Sequence, residues 1–105
     1  MAGKEVLGPL AELPPGGVRR YDVGDLRIAV VRIDDDVYAI GDTCSHQEVS
    51  LAEGEVDEYE KTLECWKHGS SFSLETGEAL TLPATRPVPT YEVRVEGDEI
   101  VVVIE

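Results

Sequence analysis

Alternating apolar and polar residues predict β-strands along most of the chain. The clearest example is the C-terminal segment TYEVRVEGDEIVVVIE, in which a tyrosine and two valines alternate with charged residues before EGDE. Alternation places successive side chains on opposite faces of a strand, and the glycine and acidic residues of EGDE favour a tight turn. The segment therefore predicts an antiparallel hairpin.

A second hairpin is predicted closer to the N-terminus. The segment DLRIAVVRID is rich in β-branched residues, three aspartates follow at positions 34–36, and the apolar residues of DVYAI come next. β-Branched residues favour strands, and aspartates favour the turn between them.

The remaining segments favour short strands rather than helices. Helical periodicity is weak, with at most one short turn near residues 51–53. The prolines of LPATRPVPTY exclude a helix there and indicate an extended crossover. Further short strands are predicted in VRRYDV, TLEC and FSLETGEA. Many short strands separated by turns are typical of an antiparallel sandwich or barrel, so we expect one all-β domain over residues 1–105.

The acidic composition narrows the classes of partner. The chain has 22 acidic and 9 basic residues, which gives a formal net charge of −13. Nucleic acids and anionic membranes are disfavoured, because phosphate binding requires clustered lysine and arginine. The same charge suits docking to a basic protein, or it only keeps the protein in solution.

The hydrophobic pattern predicts neither a membrane anchor nor export. No apolar run approaches the roughly 18 residues that span a bilayer. The N-terminal segment MAGKEVLGPLAELPPGG lacks the continuous apolar stretch of a signal peptide. We therefore expect a cytoplasmic protein whose cysteines stay reduced or bind a metal. We also expect it to be a monomer.

Two mixed pairs use all the cysteines and histidines of the chain: Cys44 with His46, and Cys65 with His68. Both pairs fall at loop positions beside predicted strands, at about residues 42–51 and 63–73. A disulfide, or unrelated core and surface residues, would also account for these residue types, but the matching short spacings disfavour coincidence. Two sulfur and two nitrogen ligands suit either zinc or an iron–sulfur centre.

The arrangement of the ligands favours two metal ions over one. Zinc fingers usually pair cysteine with cysteine and histidine with histidine. Here each loop offers one sulfur and one nitrogen ligand. This arrangement is expected if two metal ions are present and each loop supplies one ligand to each of them. One iron then takes both thiolates and the other takes both imidazoles. Replacing two thiolates by neutral histidines makes the centre less negative and raises its reduction potential.

The segments CSH and CWKHGSSF resemble the Rieske [2Fe-2S] signature, C-x-H followed by C-x-x-H. The resemblance continues through SLAEGEV, FSLETGEA and LPATRPVPTYEVRVEGDEIVVV, and it is greatest to the soluble ferredoxins of bacterial ring-hydroxylating dioxygenases. The 18 residues between His46 and Cys65 are slightly more than is usual, and we expect the extra length in a surface connection around VDEYEKT.

This resemblance implies a Rieske-type antiparallel β-sandwich or barrel, with a cluster-binding subdomain of two loops at one tip. It also implies one [2Fe-2S] cluster, with Cys44 and Cys65 on one iron and His46 and His68 on the other.

The implied function is that of a one-electron carrier with no catalytic residues. Such a protein accepts electrons from a flavin-dependent reductase and passes them to a terminal oxygenase or a similar acceptor. One alternative is a small accessory subunit of a nitrite-reductase-like enzyme, since such subunits share the fold, although many lack the ligands. The other is a non-redox zinc module held by the same four residues.

Other positions separate this chain from the respiratory Rieske subunits. Val49 and Lys67 stand where those subunits have a loop disulfide. Ser70 matches a serine that hydrogen-bonds sulfur, whereas Phe72 replaces a tyrosine that does so. The lost disulfide and hydroxyl, with the surrounding carboxylates, predict a potential in the lower, negative part of the Rieske range of roughly −150 to +300 mV.

Weaker signals surround the two loops. Gly69 and Gly77 are predicted to permit tight loop geometry. For Trp66, packing in the interior is favoured over shielding of the cluster. The remaining candidates are carboxylates that form either a docking face or ordinary solvated charges: Glu48, Glu53, Glu55 and Glu64.

Overall fold

The computed structural model describes residues 3–34, 36–43, 50–66, 69–81 and 86–104. Single 3-10 turns span Leu10–Glu12 and Leu51–Glu53. The strands of the described residues are β1 (Gly3–Pro9), β2 (Val18–Val23), β3 (Leu26–Ile33), β4 (Asp36–Gly41), β5 (Glu55–Asp57), β6 (Thr62–Glu64), β7 (Ser71–Ser73), β8 (Thr90–Glu96) and β9 (Glu99–Ile104).

Six strands form the larger sheet, in the order β1-β9-β8-β4-β3-β2, with every pairing antiparallel. Its two halves meet between β4 and β8, where Ala39 pairs with Tyr91 and Ile40 pairs with Thr90. This seam is short, and beyond it the strands flank a groove lined by residues of both. The smaller sheet has the order β5-β6-β7 and is also antiparallel.

The central strand β3 supplies both faces of the core. The run from Ile28 to Val31 is fully buried. Because side chains alternate along a strand, Ala29 and Val31 pack into one cluster with Leu51 and other residues, while Ile28 and Val30 pack into a second cluster with residues of β9. Burying a large aliphatic side chain stabilises the fold by about 1.5–3 kcal/mol, so this strand anchors both halves of the molecule.

The smaller sheet packs on the first of these clusters. Val56, Leu63 and Phe72 lie opposite one another on β5, β6 and β7. Leu63 and Phe72 are fully buried in that cluster, and Val56 packs against it. The sheet that leads directly into Cys65 therefore packs on the larger sheet through its apolar face.

Most of the predicted elements are confirmed. The structure has the β8–β9 and β3–β4 hairpins, the strand in VRRYDV and a short turn at Leu51–Glu53. Residues 86–89 of the predicted crossover contain no helix or strand. The antiparallel all-β architecture is as predicted. Within the described ranges, no helix has the length and apolar character needed to cross a bilayer.

The short strand predicted in FSLETGEA is confirmed as β7, which covers Ser71–Ser73. The strand ends at Ser73, and beyond it only one isolated bridge joins Phe72 to Ala79. The Ser73 hydroxyl accepts hydrogen bonds from the backbone N–H groups of Glu75 and Thr76, each at 3.2 Å. This hydroxyl closes a local turn, which competes with strand extension.

Strands β1 and β5 were not predicted. The glycines and proline of GKEVLGP weaken its strand pattern, but β1 is stabilised by pairing with the distant β9. The expected surface connection around VDEYEKT is narrower than predicted, because β5 includes Val56 and Asp57. Its exposed tip is a turn at residues 58–61, in which Asp57 Oδ1 accepts hydrogen bonds from the N–H groups of Tyr59 and Glu60.

Candidate functional site

Cys65 is the predicted ligand that lies within the described residues, whereas Cys44, His46 and His68 lie outside them. It directly follows β6 and is fully buried. It packs in the same hydrophobic cluster as Leu51, Leu63 and Phe72. Three other positions singled out in the sequence also fall outside the described residues: Glu48, Val49 and Lys67.

Backbone hydrogen bonds close the second loop at its base. The Cys65 N–H donates to the Ser70 carbonyl at 2.6 Å, and the Gly69 N–H donates to the Cys65 carbonyl at 3.0 Å. Gly69 has a φ of 75°, a left-handed conformation that favours glycine, as predicted. The backbones of Cys65, Gly69 and Ser70 are thus joined to one another at the base of this loop.

The two positions of the second loop that match the serine and tyrosine of the respiratory Rieske subunits are both buried. Ser70 and Phe72 are fully buried, Ser70 at the end of the loop and Phe72 on β7 opposite Leu63. The Phe72 ring has no hydroxyl to donate, so this chain lacks one of the hydrogen bonds expected at a respiratory centre.

The residues that flank the first loop are tied together across it. Thr43 forms an isolated bridge with Ser50. The buried carboxylate of Asp42 accepts hydrogen bonds at Oδ1 from the Ser50 hydroxyl at 2.8 Å and from the Ala52 N–H at 3.0 Å. The Leu51 N–H donates to the Asp42 carbonyl at 2.5 Å. Because Leu51 and Cys65 belong to the same hydrophobic cluster, the bases of the two loops pack on one core.

Thr81 makes a comparable connection at the second loop. Its hydroxyl accepts a hydrogen bond from the Ser71 N–H at 2.8 Å and donates one to the Gly69 carbonyl at 3.3 Å. Neither Thr81 nor Asp42 was singled out in the sequence. Asp42 is one of 22 acidic residues, and its position two residues before Cys44 was the available signal.

The surface beside Cys65 is acidic and carries an exposed indole. Glu53, Glu55, Glu64 and Trp66 line a cavity of about 350 Å³ together with Cys65 and Gly69. The prediction that Trp66 packs in the interior is wrong, because 53% of its surface is exposed. Cys65 directly follows β6 with its side chain buried, and the side chain of the next residue, Trp66, faces solvent. We call Glu53, Glu55, Glu64 and Trp66 the acidic face.

The described side chains fit a cluster that uses a cysteine ligand. The thiol of Cys65 is shielded from water, and the backbone around it is fixed by hydrogen bonds. Among the residues that the structure describes, no group of three or more His, Cys, Asp and Glu side chains is arranged to hold a metal ion. The carboxylates of the acidic face thus do not form a cation site there.

Comparisons with known proteins agree on the family. The sequence profile of the Rieske [2Fe-2S] domain matches residues 4–92. The 3-phenylpropionate/cinnamic acid dioxygenase ferredoxin subunit of Shigella boydii serotype 4 (strain Sb227) is 45% identical over 92 residues, which are 88% of this chain and 85% of that protein.

Solved structures give the same result. The ferredoxin of carbazole 1,9a-dioxygenase from Nocardioides aromaticivorans IC177 has a TM-score of 0.91 and 37% identity, over 94% of this chain and 95% of that chain. A chain from the complex of reduced oxygenase and oxidized ferredoxin in carbazole 1,9a-dioxygenase has a TM-score of 0.86 and 36% identity, over 94% of this chain and 91% of that chain.

The family and the structure are consistent with each other. The family match over residues 4–92 includes β2 to β7 and the loop that begins at the buried Cys65. Relatives at this level of identity are ferredoxin subunits, which carry electrons and do not themselves catalyse a reaction. The chain therefore belongs to the Rieske [2Fe-2S] domain family, as a ferredoxin that binds one [2Fe-2S] cluster and carries electrons.

Proposed function

We propose that Cys44 and Cys65 bind one iron of the cluster and that His46 and His68 bind the other. The ligands lie in loops at about residues 42–51 and 63–73, at one tip of a domain that spans residues 1–105. The burial of Cys65 and the shared core beneath both loops support this assignment. A bound cluster would supply reversible one-electron chemistry, and the buried Cys65 would hold it through a thiol that is shielded from water.

We propose that the electron acceptor is the terminal oxygenase of a ring-hydroxylating dioxygenase. One observation carries this proposal: three carboxylates and the exposed Trp66 line a cavity directly beside Cys65. A half-exposed indole offers apolar contact area, and carboxylates around it suit a basic partner surface. The complex of oxygenase and ferredoxin in carbazole 1,9a-dioxygenase supports an acceptor of the same class.

We propose a flavin-dependent reductase as the electron donor. A one-electron carrier needs a donor that releases electrons singly, and flavins do so. The reductase and the oxygenase use the acidic face in turn, since both must approach the cluster. The protein works as a cytoplasmic monomer, in a compartment where thiols stay reduced.

Electron transfer to the oxygenase can be measured by stopped-flow spectroscopy. The reduced protein is mixed with the oxidised oxygenase of 3-phenylpropionate dioxygenase, because the ferredoxin subunit of that enzyme is 45% identical. We expect transfer at a measurable rate. Failure to replace that ferredoxin subunit at any concentration would contradict the proposed acceptor.

The acidic face can be tested with a matched pair of triple variants. One combines Glu53→Gln, Glu55→Gln and Glu64→Gln, and the control combines Glu5→Gln, Asp98→Asn and Glu99→Gln, so that both lose three negative charges. The first should slow transfer to the oxygenase more than the control does. Equal effects would show that only net charge matters and would remove the acidic face as the docking site.

Neither alternative suggested by the sequence is supported. A zinc module is inconsistent with membership of a family that binds a [2Fe-2S] cluster. An accessory subunit of a nitrite reductase is disfavoured by 45% identity to a dioxygenase ferredoxin subunit over most of the chain. Iron and acid-labile sulfide analysis, with the visible spectrum of freshly purified protein, distinguishes the cluster from zinc.

A further inference from the structure

Asp42 closes the base of the first loop through its buried carboxylate and its backbone carbonyl. The residue is 1% exposed, and its Oδ1 accepts hydrogen bonds from Ser50 and Ala52, which lie eight and ten residues further along the chain. Its own carbonyl accepts the Leu51 N–H. The residue two positions before Cys44 is thus bound to three consecutive residues after the loop.

Thr81 fastens the second loop from outside it. Its hydroxyl donates a hydrogen bond to the carbonyl of Gly69, twelve residues earlier in the chain. It also accepts one from the N–H of Ser71, ten residues earlier. Gly69 directly follows His68 in the sequence. The Leu80 N–H adds a hydrogen bond to the Ser71 carbonyl at 2.7 Å. The backbone beside the second histidine is therefore held by the segment that follows β7.

Two other described side chains of the same types, Asp57 and Ser73, make local hydrogen bonds. Asp57 Oδ1 accepts hydrogen bonds from residues two and three positions ahead, and so does the Ser73 hydroxyl. Those contacts cap single turns. Asp42 and Thr81 instead connect distant segments, and both do so at the base of a loop that carries one Cys/His pair.

We propose that Asp42 and Thr81 are positioning residues that fix the two cluster loops and thereby the geometry of the cluster. This inference rests on the ligand assignment of the proposed function. Groups outside the ligand set orient the ligands of a metal centre, and their loss typically weakens metal binding. Without either bridge, one loop samples more conformations, so the cluster is held less uniformly and released faster.

The test compares removal of each bridge with its conservative replacement. Asp42→Ala and Thr81→Val remove the acceptor oxygen or the hydroxyl, whereas Asp42→Asn and Thr81→Ser retain it. Asp57→Ala and Thr76→Val are the controls, since each removes only local hydrogen bonds at a turn outside the two loops. For each holoprotein, the electron paramagnetic resonance spectrum of the reduced cluster and the rate of iron release to a chelator are measured.

Asp42→Ala and Thr81→Val should broaden the cluster spectrum and release iron at least about fivefold faster, as expected for the loss of a net hydrogen bond. Asp42→Asn, Thr81→Ser and both controls should retain the wild-type line shape and release rate. Wild-type spectra and rates in Asp42→Ala and Thr81→Val, or equal changes in the controls, would overturn the proposal. If Asp42→Ala does not fold, Thr81→Val decides, because Thr81 is exposed.

The ligand assignment is tested separately in the same series. A wild-type protein without a Rieske spectrum, or a Cys65→Ala protein that keeps one, would refute the assignment. In contrast, a normal wild-type spectrum together with unchanged Asp42→Ala and Thr81→Val spectra would refute the positioning role alone.

Discussion

At the residue scale, the site combines a buried thiol with an exposed indole on the next residue. Cys65 lies in an apolar cluster, whereas more than half of Trp66 is open to solvent. A shielded sulfur is protected from water, and the neighbouring surface remains available for contact with a partner. The alternation of inward and outward side chains at the end of β6 produces both properties in adjacent residues.

Removal of the buried thiol should abolish cluster binding. In Cys65→Ala, we expect iron and sulfide at background levels and a lower free energy of unfolding, because metal binding is coupled to folding. The wild-type protein stripped of its cluster is the control, and its unfolding free energy should lie within about 1 kcal/mol of the variant's. A variant that keeps its visible spectrum would contradict this prediction.

Tyr21 has a buried hydroxyl group. Among the described residues, its hydroxyl oxygen is buried without a hydrogen-bond partner. Its ring packs against the second cluster and lies 5.7 Å from the Arg19 guanidinium. An unpaired buried hydroxyl costs stability, so Tyr21→Phe should leave the free energy of unfolding unchanged or raise it by up to about 1 kcal/mol. Urea titration at neutral pH measures this, and a loss of stability would reveal a partner for the hydroxyl.

The same residue predicts a dependence of stability on alkaline pH. Burial raises the pKa of Tyr21 above its ordinary value of 10.0, Arg19 lowers it and Glu12 raises it, with burial the largest effect. Above about pH 10 the unfolded chain therefore releases this proton before the folded protein does. Stability should fall as pH rises through that range, and it should fall less in Tyr21→Phe. Parallel slopes for the two proteins between pH 9.5 and 11 would disprove the effect.

At the element scale, the turn after β7 holds the described part of the crossover. The Gly77 N–H donates to the Ser73 carbonyl, and the Gly77 carbonyl accepts the Val88 N–H, each at 2.8 Å. Val88 is buried in the first cluster. The Gly41 N–H donates to the Pro89 carbonyl at 2.7 Å. The chain is thus tied to β7 and to the end of β4 before it enters β8.

Gly77 should be the least replaceable residue of this turn. Its φ is 78°, and an added Cβ would collide with the Val88 carbonyl oxygen. Gly97 is the matched control, because it has a φ of 64° and open space around it. Gly97→Ala should cost about 1–2 kcal/mol from conformation alone, and Gly77→Ala should cost at least about 1 kcal/mol more from overlap. Equal losses in chemical denaturation would show that the turn can move aside.

At the scale of the whole molecule, the net charge predicts how the rate of association with partners depends on salt. The net charge of −13 creates a long-range field, and the acidic face concentrates part of it beside the loop of Cys65. Exposed charges are screened beyond about 8 Å at physiological ionic strength. The second-order rate constant for reduction by the proposed reductase should therefore fall as salt increases. A rate constant that is the same at low and high salt would eliminate electrostatic steering.

The reduction potential should lie in the negative part of the Rieske range of roughly −150 to +300 mV. The buried Phe72 donates no hydrogen bond, and the acidic face disfavours added negative charge. Neutralising the acidic face as Glu53→Gln, Glu55→Gln and Glu64→Gln should raise the potential by on the order of 10 mV per carboxylate. The control variant with Glu5→Gln, Asp98→Asn and Glu99→Gln should change the potential less. Protein-film voltammetry at pH 7 tests this, and a wild-type potential above about +100 mV would contradict the prediction.

The sequence by itself determined the strands whose signals are local. Alternation in TYEVRVE and the turn residues of EGDE specify β8 and β9, since both depend on neighbouring residues only. The run IAVV likewise predicts β3, because residues buried on both faces leave a continuous apolar segment. The four predicted ligands are also readable in sequence, because cluster chemistry requires rare residue types at short spacings.

Only the tertiary structure decided the features that depend on distant segments. β1 forms because β9 lies beside it, and its own pattern is too weak to predict it. Apart from the position of Asp42 two residues before Cys44, nothing in the sequence distinguishes Asp42 or Thr81 from other acids and hydroxyls. The fold does so by bringing Ser50, Gly69 and Ser71 within hydrogen-bonding distance. The physical reason is the same in each case. Alternation and turn preference act over a few residues, whereas hydrogen-bond partners and burial are set by packing between segments that are far apart in the chain.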